Sequence, residues 1–292
     1  MKVIQFTIPV AVNQSIHLQE DRLPHFYEHL HRHAEIQITS IVSGTGTLLA
    51  GNHMQQFKDG DVFVIGANQP HLFKSDPSYF EGGSKKTIHS LNLFFNPEGF
   101  ILPLLNLPEM SRIKRWIASA AYGMKAPQGT ADKIADALDA IAAAGHGKRM
   151  AAFITLLQLL ADCKKWQSFS TDVFTHRFTD VEGLRINDVY QYSMSNYTRH
   201  ISLEEVASLV HLTVPSFCRY FKKHTSKTYV QFLNEIRINE ACRQLLDKKM
   251  NGIAGVAYQS GFNNVVSFNR VFKSITGRSP GAFLQQYQQQ SS

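Results

Sequence analysis

Residues 216 to 233 of this 292-residue chain recur 51 positions later. Ser216, Phe217, Arg219, Phe221, Lys222, Thr225, Phe232 and Leu233 match Ser267, Phe268, Arg270, Phe272, Lys273, Thr276, Phe283 and Leu284. A match this ordered restricts the C-terminal third to two copies of one supersecondary unit. Upstream, Val206, Ala207 and Leu212 correspond to Val256, Ala257 and Phe262 at an offset of 50, so the second copy carries one extra residue.

Each copy reads as helix, short turn, helix. In the first, Ser202 and Glu205 make a capping box ahead of Leu203, Val206, Ala207 and Val210, which share one face. His211 and Leu212 form the turn, and Thr213 caps the next helix with Pro215 tolerated in its first turn. Phe217, Tyr220 and Phe221 supply the buried stripe; Ser216, Arg219, Lys222 and Lys223 face outward. In the second copy Ile253, Val256 and Ala257 pack, Gly261 ends the helix, and Asn263 or Asn264 caps the next one. Phe268, Val271 and Phe272 point inward, leaving Ser267, Asn269, Arg270 and Lys273 outside.

Charge singles out the same segment. Residues 1 to 182 hold 17 Lys and Arg against 17 Asp and Glu, whereas residues 183 to 292 hold 13 against 6, the whole of the net charge of +7. Such a balance suits either a solvated basic face or a surface that displaces counterions from phosphates. A basic helix carried on a supporting helix meets the shape requirement of the DNA major groove. The alternative is a generic helical hairpin, which two copies with Arg at the same place disfavour. Between them, Thr228 caps a helix of about 20 residues, spanning about 30 Å. Two readers so separated could enter successive major grooves about 34 Å apart.

The segment from Ile201 to Tyr287 resembles the tandem helix-turn-helix domain of AraC-type transcription regulators. The resemblance is carried by Gly261-Phe262-Asn263-Asn264, by Ser267-Phe268-Asn269-Arg270-Val271-Phe272-Lys273 and by Thr276-Gly277-Arg278-Ser279-Pro280. It implies base or phosphate contacts at Pro215, Ser216, Cys218 and Arg219 in the first reader. In the second it implies Asn264, Val265, Val266, Ser267, Asn269 and Arg270. Thr213, Lys222, Lys223, Asn263 and Lys273 complete the candidate DNA-binding set. Pro215 and Cys218 donate little to base edges, so Ser216 and Arg219 carry the first reader, and the two valines suit thymine methyl groups. Cys218 reads as a small helix residue, since no partner cysteine lies near it in sequence.

The first hundred residues follow another pattern. Glu35 to Val42, Thr47 to Ala50 and Val62 to Ile65 are β-prone runs broken by Ser43-Gly44-Thr45-Gly46, Gly51-Asn52, Lys58-Asp59-Gly60-Asp61 and Gly66-Ala67-Asn68-Gln69-Pro70. They predict a small all-β barrel or jelly roll. Arg112 to Tyr122, Ala131 to Ala144 and Met150 to Lys165 then show helical spacing, with Gly145-His146-Gly147 between the last two. The expected fold is therefore multidomain α+β. An all-β, cupin-like sensor spans 1–105, a helical dimerisation segment 106–166, a linker 167–182, and the all-α tandem helix-turn-helix domain 183–292.

His31-x-His33-x-Glu35, with Gln37 and His71, is the chemically notable cluster. On one strand face inside a barrel these side chains would line a cavity. Together with Gly60-Asp61-Val62 and Pro70-His71, they resemble the cupin sensor that AraC-type regulators carry. A metal cupin places its Glu beyond the second His with three or four residues between them; Gln37 and Ile38 stand there instead. His31, His33, Glu35, Gln37 and His71 are thus read as an effector site without metal or cofactor, with His25, His29 and His53 as surface or turn residues.

The sequence reads as a sequence-specific DNA-binding regulator that answers a small-molecule effector, not an enzyme. Its expected partners are double-stranded DNA, a second copy of the chain and RNA polymerase. The competing readings are a metal-dependent cupin enzyme, an isomerase or dioxygenase, with a basic appendage, and a nonspecific nucleic-acid packaging protein. Three cysteines without C-x-x-C spacing argue against a disulfide framework or thiolate zinc site. No signal-like or membrane-length apolar run occurs, so a cytoplasmic protein is expected.

Overall fold

The computed structural model describes residues 14–169, 179–246 and 252–290. The chain divides between Asp180 and Val181 into two compact units.

The first unit begins with seven strands: β1 (His17–Leu23), β2 (Ile36–Ser43), β3 (Gly46–Ala50), β4 (His53–Phe57), β5 (Val62–Ile65), β6 (His71–Ser75) and β7 (Ile88–Phe95). After these come α1 (Leu102–Leu105), α2 (Ser111–Ala120), β8 (Met124–Lys125), α3 (Gln128–Ala143), α4 (His146–Asp162) and β9 (Gln167–Ser168). The strands form two antiparallel sheets, one in the order β1-β7-β2-β5-β8-β9 and the other β4-β3-β6.

Strand alternation sorts the larger sheet into two buried faces. Ile36, Ile38, Val62, Val64, Leu91, Leu93 and Phe95 join one core with Ile113, Trp116, Ile134, Leu138, Ile141, Phe153, Leu156 and Leu160 of α2 to α4. Their neighbours Ile41, Phe63, Ile65 and Ile88 turn the other way and pack on Leu48, Phe57 and Phe73 of the smaller sheet. The apolar stripes assigned to self-association are thus buried against the sheet. Outward positions of α3 hold Asp132, Lys133, Asp136 and Asp139.

Six strands escaped the sequence reading, β8 and β9 because two residues apiece show no period. β1, β4 and β6 are rich in His, Gln and Lys, and β7 follows an exposed stretch without apolar residues. Gly145 precedes α4, which begins at His146 rather than after Gly147. The stretch read as a linker is also partly structured. Gln167–Ser168 pairs with β8, Phe169 is buried in the inter-sheet core, and Asp180 opens a helix; residues 170–178 lie outside the described residues.

The second unit is helical: α5 (Asp180–Asn196), α6 (Leu203–Leu209), α7 (Val214–Thr225), α8 (Tyr229–Leu246), α9 (Gly252–Gln259), α10 (Val265–Thr276) and α11 (Pro280–Gln290). No described helix is long and apolar enough to cross a membrane. The capping box forms as expected, Glu205 N–H donating to Ser202 Oγ at 3.1 Å.

The repeat extends to turn geometry. His211 and Gly261 both have positive φ, 56° and 85°, and so do Ser226 and Gly277, at 59° and 76°. Thr225 Oγ1 donates to Phe221 O, as Thr276 Oγ1 does to Phe272 O, at 2.7 and 2.8 Å. Gly261 carries a second constraint: a Cβ there would stand 2.2 Å from Tyr197 O, whereas one at Gly277 would meet open space. Gly277→Ala should therefore cost about 1–2 kcal/mol, the ordinary left-handed penalty. Gly261→Ala should cost more than about 3 kcal/mol because backbone must also move. Denaturant unfolding followed by the helical signal of the full chain checks the ranking; equal costs would contradict the close approach.

Candidate functional site

Each candidate reading helix is fixed by two phenylalanines four residues apart. Phe217 and Phe221 of α7 are fully buried and meet Tyr229 of α8 with ring centroids 5.6 Å away in each case. Phe268 and Phe272 of α10 are equally buried, with Ile238, Ala241 and Leu245 from the far half of α8 in their core. Arg219 and Arg270 each follow the first Phe by two residues, a rotation of about 200°, and so stand on the opposite, solvent face. Both are exposed, as are Thr213, Pro215, Cys218, Lys222, Lys223, Asn263, Asn264, Asn269 and Lys273.

Ser216 and Ser267 are half-buried. The two valines separate: Val265 packs against the core, while Val266 is 80% exposed. Asn264 is the N-cap of α10, its Oδ1 accepting from Ser267 N–H at 2.7 Å, which leaves Asn263 as the uncommitted amide. Thr213 occupies the same place before α7, with its hydroxyl donating to Ser216 Oγ at 3.0 Å.

Five arginines of this unit fall into two groups. Arg199 pairs with Glu205, Arg243 pairs with Glu240, and Arg237 donates to Tyr197 O and Arg199 O. Neither Arg219 nor Arg270 has a carboxylate partner among the described residues; Arg219 reaches only Ser216 Oγ, at 3.4 Å. The first group holds the fold, and the second leaves its guanidinium donors available.

One supporting element was missed. α5 packs Tyr190 flat on Phe232 at 4.4 Å, brings Ser193 Oγ within 3.0 Å of Tyr229 OH, and accepts a hydrogen bond from Tyr220 OH at Glu182 O. Ile186, Val189, Tyr190, Ser193 and Met194 follow helical spacing, which is the signal that could have found it.

In the first unit, His31 and His71 are joined by paired backbone hydrogen bonds of 3.1 and 2.8 Å. Their rings stand 4.3 Å apart, and the His33 ring lies 5.0 Å from that of His71. The three histidines converge, although not on one strand face as the sequence suggests: β2 starts at Ile36, and Glu35 sits in a bend. Its carboxylate consequently lies behind His33, 3.8 Å from Nδ1. Burial pushes His31 down to about 4, lowers His33, and holds His71 well below the ordinary histidine value. His53 is not a turn residue; it opens β4 and stacks on Phe169 at 5.0 Å.

A buried polar chain runs from this cluster. Gln37 Oε1 is 3.0 Å from His33 Nε2, while Gln37 Nε2 donates to Thr39 Oγ1 at 2.7 Å and to Asn92 Oδ1 at 3.3 Å. Asn92 Nδ2 in turn donates to Asp21 Oδ2 at 2.9 Å and Ser90 Oγ at 3.1 Å. Thr39, Ser90, Asn92 and Asp21 were absent from the sequence reading. They share the cluster's face through the β1–β7–β2 register, which pairs Asp21 with Ser90 and Thr39 with Asn92.

Two family models match the chain: a helix-turn-helix domain over residues 206–286 and an AraC-like ligand binding domain over 13–98, together more than half of its length. An uncharacterized HTH-type transcriptional regulator of Bacillus subtilis, YfiF, is 25% identical over 301 residues, covering 95% of this chain and 89% of the relative. The transcriptional activator RhaS of Pectobacterium carotovorum is 24% identical over 276 residues, covering 91% of each. Among solved structures, the DNA-binding domain of AdpA in complex with a target DNA matches 35% of this chain and 91% of that one, at 24% identity and TM-score 0.33. Fold and motifs define a transcriptional regulator that joins a ligand-binding β domain to a helical DNA-binding domain. The chain belongs to the AraC family.

The lowered histidines give a pH dependence with a definite sign. Between the unfolded value of 6.5 and the folded value of His31 near 4, the unfolded chain binds protons that the folded chain does not. Stability of the first unit should therefore fall as pH drops below about 6.5 and stay level above it. The thermal midpoint followed by the emission of Trp116 and Trp166 checks this. A profile flat down to pH 5 would contradict neutral, buried rings.

Proposed function

We propose that α7 and α10 are the two DNA readers and that the His31, His33, Gln37 and His71 cluster is the effector site. The observation that carries the first half is the matched placement of Arg219 and Arg270, exposed and without carboxylate partners among the described residues, opposite a buried pair of phenylalanines. Guanidinium groups so held can bond guanine edges in the major groove, with Ser216, Ser267, Asn263 and Asn269 as neighbouring donors and Val266 against a thymine methyl. Asn264 and Val265 act through the shape of the α10 N-terminus. Pro215, Thr213 and the exposed Cys218 border the first reader, and Lys222, Lys223 and Lys273 meet phosphates.

The buried polar face of the larger sheet supports the second half. Asp21, Gln37, Thr39, Ser90 and Asn92 form a hydrogen-bonded array in a position where an apolar core would be simpler, as expected of a surface that recognises a polar ligand. Glu35 belongs to this site only through its contact with His33. An effector acts by binding one arrangement of sensor and reader more tightly than the other.

Selection of bound sites from a random duplex library, followed by competition at fixed salt, tests the DNA half. Arg219→Ala and Arg270→Ala should each cost about 1–3 kcal/mol on the selected site and relax its sequence preference. Equal losses on every sequence would make them phosphate anchors. Lys222→Ala and Lys273→Ala should weaken all duplexes alike and lower the salt slope by about one each.

Homodimerisation and contact with RNA polymerase belong to the same reading, because linked readers on paired sites gain from effective concentration. Sedimentation of a DNA-bound chain should give two copies per site; a monomer with and without DNA would remove this part.

A further inference from the structure

We propose that His31, His33 and His71, with the Gln37 amide oxygen beside them, form a binding site for one divalent transition-metal ion. One ring nitrogen from each histidine lies within 4.8 Å of the others. The direction of the free lone pairs follows from the outer contacts. His31 Nδ1 faces His29 O, His33 Nδ1 faces Glu35 O, and His71 Nδ1 faces Gln69 O, each at 2.9 Å. A carbonyl oxygen only accepts, so in each neutral ring the proton sits on Nδ1 and donates to that oxygen. Nε2 then presents a lone pair. This outer shell of backbone carbonyls is the device that fixes tautomer and ring orientation in metal-binding histidines.

What the Nε2 atoms of His71 and His33 lack is a donor. His71 Nε2 is fully buried and has no hydrogen-bond partner among the described residues. Next to it, His33 Nε2 and Gln37 Oε1 face each other at 3.0 Å, and both are acceptors. The amide cannot turn round cheaply, because its nitrogen donates to Thr39 and Asn92, and Asp21 orients Asn92. Uncompensated, such an arrangement is costly in a buried setting. A cation among these acceptors removes the conflict. Tetrahedral bonds of about 2.0–2.1 Å put neighbouring ligand atoms about 3.3–3.4 Å apart, which the His33–Gln37 pair meets by opening about 0.3 Å and the widest ring pair by closing about 1.4 Å.

The donor set also selects the ion. Three imidazoles and a neutral oxygen suit zinc, nickel, cobalt or ferrous iron and disfavour magnesium and calcium, which need oxygen-rich, anionic cages. Glu35, 3.8 Å behind His33 Nδ1, and Asp21 at the end of the polar chain supply negative charge at one remove. The sequence argued against a metal because Gln37 stands where a metal cupin has a carboxylate. The structure makes that residue a neutral ligand rather than a missing one. His31, half-buried beside the exposed Tyr27, is the side open to solvent.

Ion binding stands on this geometry alone; that the ion acts as the effector rests on the effector-site assignment above. The test uses tag-free, chelator-stripped full-length protein titrated with cobalt, followed by its visible absorption, and with zinc, nickel and magnesium by calorimetry. Saturation at one cobalt or zinc per chain is expected, with no magnesium binding. His31→Gln and His71→Gln should each weaken cobalt binding at least tenfold, and Gln37→Ala should shift the cobalt spectrum. His25→Gln, outside the cluster, should change neither. His31→Gln, at the partly exposed ring, guards against loss through misfolding, checked by an unchanged thermal midpoint. Absence of binding at micromolar cobalt and zinc, or binding untouched by His31→Gln and His71→Gln, would overturn the site. Stoichiometric binding that leaves affinity for the selected DNA unchanged would retain the site and overturn only its role as effector.

Discussion

Two phenylalanine pairs, Phe217 with Phe221 and Phe268 with Phe272, set the rotation of α7 and α10, the two helices proposed as DNA readers. Burying each ring contributes about 1.5–3 kcal/mol, far more than any exposed side chain on the other face could oppose. With those rings locked into the cores along α8, positions two residues on are forced into solvent. On the proposed reading, specificity is placed by residues that never meet DNA. α8 acts as the common support, its first half serving α7 and its second half α10; at 18 residues it spans about 27 Å.

Much of the second unit could be read from the chain because its determinants are local. Capping boxes, phenylalanines at helical spacing and a repeat at a fixed offset act within a few residues, and the same left-handed turns at His211 and Gly261 follow from them. α5 went unread although Ile186, Val189 and Tyr190 carry the helical period, because its apolar face is interrupted by Gly183, Asn187 and Ser193. These lie in its buried face and gain meaning only once Tyr220 and Tyr229 are opposite.

The first unit was less legible. Its larger sheet is buried on both sides, so β2, β5 and β7 lack the alternation that would assign a face. The polar face is a property of register: nothing near Asp21 in sequence shows that it stands across from Ser90, or that Asn92 meets Gln37. Glu35 illustrates the reverse error. Strict alternation placed it with His31 and His33, but a bend before β2 turns it behind the ring. A two-residue period holds only while the chain stays extended.

The central claim is that Arg219 and Arg270 sit on two readers that engage neighbouring grooves of one duplex. Protection of guanine N7 from methylation on a selected site measures this most directly. The account predicts two protected clusters about one helical turn apart on the same face, the first lost in Arg219→Ala and the second in Arg270→Ala. A single protected cluster, or protection that neither substitution alters, would contradict it.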